Sequence, residues 1–448
     1  MRVARLMGLL VLFLMVPAAS AGAVCVSEFS KGLSGASNLR GIAAGPDGNL
    51  WFTDTQVEGL GHRTFTAAAK IGLITPTGKV TEFSTLRSGG DEQILGIVAG
   101  PDRNLWFTAT STDSDDSLIG RITPSGTVTE FSAGISPGAS DLAIADGTDG
   151  NLWFTEFFGH RIGRITPTGA VTEFSTGISP NEALNSIAAG PDGNMWFTED
   201  GLYANGIMAP NRIGRITPGG TVTEFAAGST TYPRSIVAGP DGNLWFLDTN
   251  NNLIGRITAA GTVTEFPSGI APDTGALDSI AAGPDGNLWF TGFRDSRDAA
   301  VVGRITPTGA VTDFSVGLLS DPTLGSIASG PDGNLWAAAG GAIARITTSG
   351  SCDVGIASRR AVVSPAGAMQ LKLSCTGDRL ECIGTLHLAR QGQAIADAAY
   401  SVGLGRKANV ALRLNATGRK LLGKARHHRL NVTANSLGAL RIVSLTLA

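Results

Sequence analysis

The chain is poor in the groups that usually carry covalent chemistry. Its 448 residues include five histidines, four cysteines and three tyrosines. No Ser/His/Asp order, phosphate-cradling glycine loop or Cys/His zinc spacing occurs, so the common hydrolase, nucleotide and zinc readings have no motif to rest on. Charged residues make up 16%, too few for a disordered, self-repelling chain. The one long apolar run, residues 6–16, is too short for a membrane span of about 20 residues. Arg2 and Arg5 before it and the small residues 19–23 after it read as an export signal, cleaved after Ala21 or Ala23. The expectation is a secreted protein with no transmembrane segment.

Glycine is what the chain has in plenty, 61 residues, and most of it belongs to one repeated phrase. Residues 185–199 read Asn-Ser-Ile-Ala-Ala-Gly-Pro-Asp-Gly-Asn-Met-Trp-Phe-Thr-Glu, and after a loop comes Asn-Arg-Ile-Gly-Arg-Ile-Thr-Pro-Gly-Gly-Thr-Val-Thr-Glu-Phe. Variants recur around Trp51, Trp106, Trp153, Trp196, Trp245, Trp289 and Trp336, spaced 43 to 55 residues apart. A period of that length, built of short apolar segments and Gly/Pro turns, predicts one four-stranded propeller blade per repeat. The fold class is all-β: a seven-bladed β-propeller over 24–355, after a signal peptide at 1–23.

Within a repeat, strand A is Ile-Ala-Ala-Gly, strand B Leu-Trp-Phe-Thr, strand C Ile-Gly-Arg-Ile and strand D Val-Thr-Glu-Phe. Residues 26–29 match strand D yet precede the first strand A. The N-terminal strand therefore closes the last blade and removes the open sheet edges, and residues 352–355 read as a degenerate remnant of that blade's own fourth strand. Four cysteines in an exported chain predict two disulfides with three possible connectivities. Cys25 with Cys352, and Cys375 with Cys382, is the most economical pairing.

Past Cys352 the repeats stop and the charge changes sign. From Arg359 onward there are 14 Lys+Arg against three acids, in a chain whose net charge is −3. Residues 356–448 read as a small, basic, immunoglobulin-like β-sandwich. Its cations suit an anionic cell-wall polymer or lipid headgroups, whereas nucleic acid is not expected for an exported chain without interleaved aromatics.

The repeat resembles that of the streptogramin B lyase (virginiamycin B lyase) family of seven-bladed propellers over 24–352, and more distantly NHL-repeat and gluconolactonase-like propellers. The C-terminal part resembles sandwich modules appended to secreted actinobacterial proteins. The family resemblance implies a C–O lyase that opens a cyclic depsipeptide at its ester without adding water. A histidine base takes a proton α to a carbonyl polarised by bound Mg²⁺. It also implies histidines two residues ahead of the strand-A isoleucine. Here those positions hold Arg40, Leu95, Leu142, Asn185, Arg234, Asp278 and Gly325, so the family's base is missing. A ligand-binding or diverged member is the leading expectation, with the lyase or a lactonase-like activity as the alternative.

The A–B and C–D turns barely vary, whereas the B–C loops run from 7 to 20 residues past the tryptophan. Recognition is expected on the variable face, where an unknown small molecule or peptide would meet Arg40, Arg234, Asp278 and Tyr203. Acids end strand B at Asp54, Glu156, Glu199 and Asp248. Converging from neighbouring blades, they would hold Mg²⁺ or Ca²⁺. The propeller's two histidines, His62 and His160, are the candidate relocated bases. The tryptophans, by contrast, read as packing. The strand-C arginines and strand-D acids recur together and read as structural charge pairs. The run Asp113, Asp115, Asp116 lacks the glycine and distal glutamate of a calcium loop and reads as solvated.

Overall fold

Each repeat folds as one antiparallel sheet because its two bulkiest residues need opposite covers. In blade 4 the register sets Trp196 opposite Arg215 and Phe197 opposite Gly214. A Cβ on Gly214 would lie 2.1 Å from the Phe197 ring, so only glycine lets the ring lie flat on strand C. The computed structural model describes residues 25–447 apart from 35–37, 61–62, 86–91, 112–116, 140–142, 181, 202, 205–206, 209, 229–231, 271–274, 295–298, 317–323, 349–352, 377–380, 391–392, 404–406, 426–428 and 437–438. The expected signal segment, His62, Cys352 and the Asp113–Asp116 run lie outside the described residues, as do the side chains of Tyr203, Cys25, Cys375 and Cys382.

Seven four-stranded sheets follow one another: blades 1 to 6 over 39–84, 92–131, 144–174, 182–226, 233–267 and 275–316, and blade 7 over 327–347. Strand A of each blade borders strand A of the next, and the ring closes where Leu39–Ala44 meets Ile327–Ser329. Blade 7 takes its outer strand from Cys25–Phe29, which pairs with Ala342–Thr347. Phe29 stacks on Trp336 with centroids 5.5 Å apart, the separation Phe225 keeps from Trp196 inside blade 4. The N-terminal strand thus reproduces a native blade edge. Residues 353–355, expected as a remnant of blade 7, do otherwise: strand Asp353–Ile356 pairs with Ala368–Thr376 and joins the second unit.

The A–B turns explain their own repetition. In all seven blades the turn aspartate, from Asp47 to Asp332, accepts from the Trp Nε1–H at 2.9–3.1 Å. The fully buried indole therefore keeps a partner for its one donor. Each strand-C arginine of blades 2 to 7 lies over that tryptophan, 5.5–5.9 Å from its centroid. Five of them donate to a C–D turn carbonyl of the following blade, as Arg345 does to Pro76 across the closure at 2.9 Å.

The expected pairing of strand-C arginines with strand-D acids is not what forms. Glu224 sits opposite Gly214 and Arg215 opposite Thr223, so the two side chains leave opposite faces of the sheet. Arg215 faces the turn Asp192 at 3.7 Å, and Glu224 meets Arg212 and Ser179 instead.

Two of the variable B–C segments are ribbons. Leu50–Leu60 and Arg63–Ile74 pair out to Leu60 with Arg63, and Tyr203–Ala204 pairs with Ile207–Met208. After the propeller, a three-stranded and a five-stranded sheet enclose one core, with Leu371 and Leu412 from the first and Leu386, Val432 and Val443 from the second. The five-stranded sheet includes one parallel pair, Arg360–Val363 with Ala439–Leu447. Its helix, Ala416–Lys424, starts at Asn415, whose side chain accepts from the Gly418 N–H. No described helix is long and apolar enough to cross a membrane.

Candidate functional site

Strand A lines the centre of the ring, so residues at its start look into the central opening on the variable face. A cavity of about 420 Å³ opens there, lined by Asn38, Leu39 and Arg40 of blade 1, Asp278 and Ser279 of blade 6, and Gly325, Ser326 and Gly340 of blade 7. Blade 7 makes the room: Gly325 and Gly340 contribute no side chain, and strand B there ends in Ala337, Ala338 and Ala339. Two of the residues expected to meet a ligand, Arg40 and Asp278, face each other across this space. Asp278 is open to the cavity but ringed by protein. Desolvation raises its pKa to about 6 against the pull of Arg40 and Arg234. Among the described residues, neither Arg40 nor Asp278 makes a hydrogen bond or an ion pair within 4 Å.

Arg234 is further round, on blade 5. Its guanidinium lies 5.2 Å from the Tyr232 ring centroid and 3.7 Å from Asp200 Oδ2. Asp200 is buried and neither of its carboxylate oxygens has a hydrogen-bond partner. Burial pushes its pKa up to about 6.

The strand-B acids do not converge, which corrects the expected cation site. Asp54 accepts from the Asn38 N–H at 2.8 Å. Asp248 caps its own turn, accepting from the amides of Asn250 and Asn251. Glu156 meets Arg161 at 3.4 Å, and burial together with the nearby Glu173 raises its pKa to about 8. Strand B ends at the rim of a blade, where the nearest cation or amide belongs to the same sheet. That is why Asp54, Glu156 and Asp248 each find a partner close by instead of meeting one another.

Among the described residues, the carboxylates close enough to share a cation are Glu182, Glu199 and Glu224, all in blade 4 and mutually within 4.8 Å. Arg212 bonds to Glu182 and lies 3.5 Å from Glu224. Burial and the neighbouring Glu182 raise the Glu199 carboxyl far above its ordinary range. Both oxygens of Glu199 and Oε2 of Glu182 are buried without a hydrogen bond. The donors are all oxygen, so the group fits a hard cation such as Mg²⁺ or Ca²⁺. Glu182 was not visible as a member, because strand A reaches Glu199 only past a bulge between Leu184 and Ile187.

His160 joins blade 3 to this group. Its Nδ1 is 2.5 Å from the Glu182 carbonyl oxygen. A carbonyl only accepts, so Nδ1 carries the proton, and in the neutral ring Nε2 is then the acceptor. The residue is left-handed at φ 52°, as Asn252 is at φ 51° in blade 5. Asn252 Nδ2 donates to the Gly275 carbonyl at 2.8 Å. His160 therefore does, through Nδ1, what an asparagine does two blades on.

Residues 33–209 and 200–361 match a family model described as the virginiamycin B lyase family. A solved streptogramin B lyase shares 26% identity at a TM-score of 0.59, covering 72% of this chain and 97% of its own. A catalytically inactive histidine-to-alanine virginiamycin B lyase from Staphylococcus aureus, solved with quinupristin, shares 28% at 0.59, with 72% and 99% covered. The WD40 propeller of Doa1, 11% identical at 0.50, shares the fold alone, with 73% and 95% covered. No curated protein sequence matches the chain.

Proposed function

Because the chain belongs to the virginiamycin B lyase family, we propose that it keeps that family's propeller as a ligand-binding module. The ligand, a small molecule or peptide, enters the central opening and meets Arg40 and Asp278. The observation that carries this reading is the cavity, with opposite charges on its walls that, among the described residues, no protein group neutralises by direct contact. Charges that line a cavity without a contact of their own are free to pair with complementary charges on a ligand. The strand-A positions where the resemblance implies histidine bases hold none, and an arginine cannot act as a neutral base near pH 7.

Quinupristin incubated with the protein and Mg²⁺ is expected to emerge intact by mass spectrometry. Thermal shifts across a panel of quinupristin and short peptides are expected to be lost in the double variant Arg40→Gln, Asp278→Asn. A linear product would overturn the binding-only reading. A panel without any shift would overturn ligand binding at the cavity.

One observation favours a second reading, a C–O lyase with His160 as relocated base: the Glu182 carbonyl engages Nδ1, which leaves Nε2 as the basic nitrogen of the neutral ring. His160→Asn preserves the strut that Asn252 shows to be sufficient, so lost turnover with an unchanged Tm would support catalysis. Glu182, Glu199 and Glu224 would hold the cation, which when bound polarises a ligand carbonyl. A Mg²⁺-dependent rise in Tm that Glu199→Gln removes checks that assignment.

Export and attachment complete the proposal. Lys372, Lys407 and Arg413 share one outer sheet face of the C-terminal unit and are exposed, which suits an anionic wall polymer. Co-sedimentation with isolated cell walls, lost on reversing those three charges, tests attachment. Export predicts a mature N-terminus directly after Ala21 or Ala23.

A further inference from the structure

The charges around the opening alternate. Going round the ring they are Asp200 on blade 4, Arg234 on blade 5, Asp278 on blade 6 and, past the empty place left by Gly325 on blade 7, Arg40 on blade 1. Asp200 and Arg234 form an ion pair 3.7 Å apart. Arg40 and Asp278 have no such contact among the described residues, and the cavity lies between them. An uncharged ligand would neutralise neither charge. A purely anionic one would meet Asp278, and a purely cationic one Arg40.

We propose that the cavity takes a zwitterion, a short linear peptide with free ends, whose α-carboxylate pairs with Arg40 and whose α-ammonium pairs with Asp278. The assignment rests on the ligand-binding reading above and narrows it. Arg40 offers the forked donor geometry that matches a carboxylate, and Asp278 offers acceptors alone, as an ammonium requires. Ser279, Ser326 and Asn38 also line the cavity and can bond the peptide units between the two ends. Asp200 and Arg234 are the neighbouring pair that stays closed.

The test is calorimetric titration of the full-length protein with tri-alanine, N-acetyl-tri-alanine and tri-alanine amide. Free tri-alanine is expected to bind, and capping either end to weaken it roughly tenfold or more, the usual cost of a lost charge-assisted hydrogen bond. Arg40→Gln should erase the penalty for the amide and leave the penalty for the acetyl form. Asp278→Asn should do the reverse. Equal binding of free and capped peptides would overturn the zwitterion while leaving a ligand-binding cavity. Binding of quinupristin but not of tri-alanine would overturn it too. Failure of every ligand to bind would instead remove the reading on which it rests. Both substituted residues are exposed, and circular dichroism melts of the two variants confirm that the fold persists.

Discussion

The two faces of the disc are made from the same strands and follow different rules. On the face of the A–B and C–D turns, one set of contacts repeats: Asp to Trp, Arg over Trp, Arg to the next blade's turn. On the other face a lysine or arginine opening strand C meets the strand-D glutamate in blades 1, 3 and 4, and beyond that the blades differ. Blade 4 gathers three carboxylates, two of them buried, around one arginine, blade 3 buries Glu156 beside Arg161, and blade 7 has alanine and glycine and opens a cavity. Contacts that hold neighbouring blades together must fit every junction. Contacts at the other rim answer only to what each blade meets there. Uniform effects are therefore expected on the first face and blade-specific ones on the second.

The largest effect should come from Arg212→Ala. It leaves the buried Glu182 and Glu199, with Glu224, without their cation, and breaking such a group typically costs about 3–5 kcal/mol. Arg212 is 27% exposed, which places the expected loss near the low end of that range. Calorimetric melting measures it. A loss no larger than that of Arg161→Ala in blade 3 would mean that the blades differ less than their charges imply.

Glu156 gives the variable face an unusual pH dependence. A carboxylate that gains a partner on folding usually has a depressed pKa and adds stability as pH rises. Burial and Glu173 do the opposite here, holding the Glu156 carboxyl up to about 8. Between its unfolded value, about 4.3, and 8 the folded chain keeps a proton that the unfolded chain has released. Stability from this residue is complete below pH 4 and falls as pH rises through that window, by on the order of a few kcal/mol. Tm followed from pH 5 to 8.5 should fall more steeply in the native chain than in Glu156→Gln. Parallel curves would show that Glu156 ionises normally.

On the repeated face, Asp149→Ala, Asp192→Ala and Asp241→Ala each strip a buried indole N–H of its acceptor, at about 1–3 kcal/mol. The sharper expectation is that the three losses agree. Urea titration of each variant tests this, and a spread as wide as that between Arg212→Ala and Arg161→Ala would abolish the distinction between the faces.

The same distinction governs what could be read from residue order. The Gly-Pro-Asp-Gly-Asn phrase announces a turn. Its fixed four-residue step from aspartate to tryptophan also carries the Asp–Trp bond, since both lie in one hairpin. Strand closure was equally legible, because Glu28 and Phe29 repeat the strand-D ending. Arg40, Arg234 and Asp278 stood out because the start of strand A must face the opening of any propeller. The Glu182 group did not, since a bulge changes which residue of strand A meets Glu199. The cavity itself is made by side chains that blade 7 lacks, and an absence has no motif. Strand Asp353–Ile356 was misassigned for a related reason: four residues cannot declare their partner when Cys25–Phe29 already fills the edge.

The smallest effect concerns the one A–B turn that breaks the pattern of its face. Six turns place glycine at the left-handed position, from Gly48 at φ 77° to Gly333 at φ 71°, whereas blade 2 has Arg103 at φ 61°. A side chain there strains against its own backbone by about 1–2 kcal/mol. Arg103→Gly removes that strain but gives the unfolded chain more freedom, worth about 0.5–1 kcal/mol. The net expectation is a gain of up to about 1 kcal/mol, read as a small rise in Tm. Arg103 is exposed and its neighbour Asp102 keeps its bond to Trp106, so nothing else should change. The converse, Gly242→Arg in blade 5, should cost a similar amount. If both substitutions are neutral, this turn tolerates either residue, and the uniformity of the repeated face rests on Asp, Asn and Trp without the glycine.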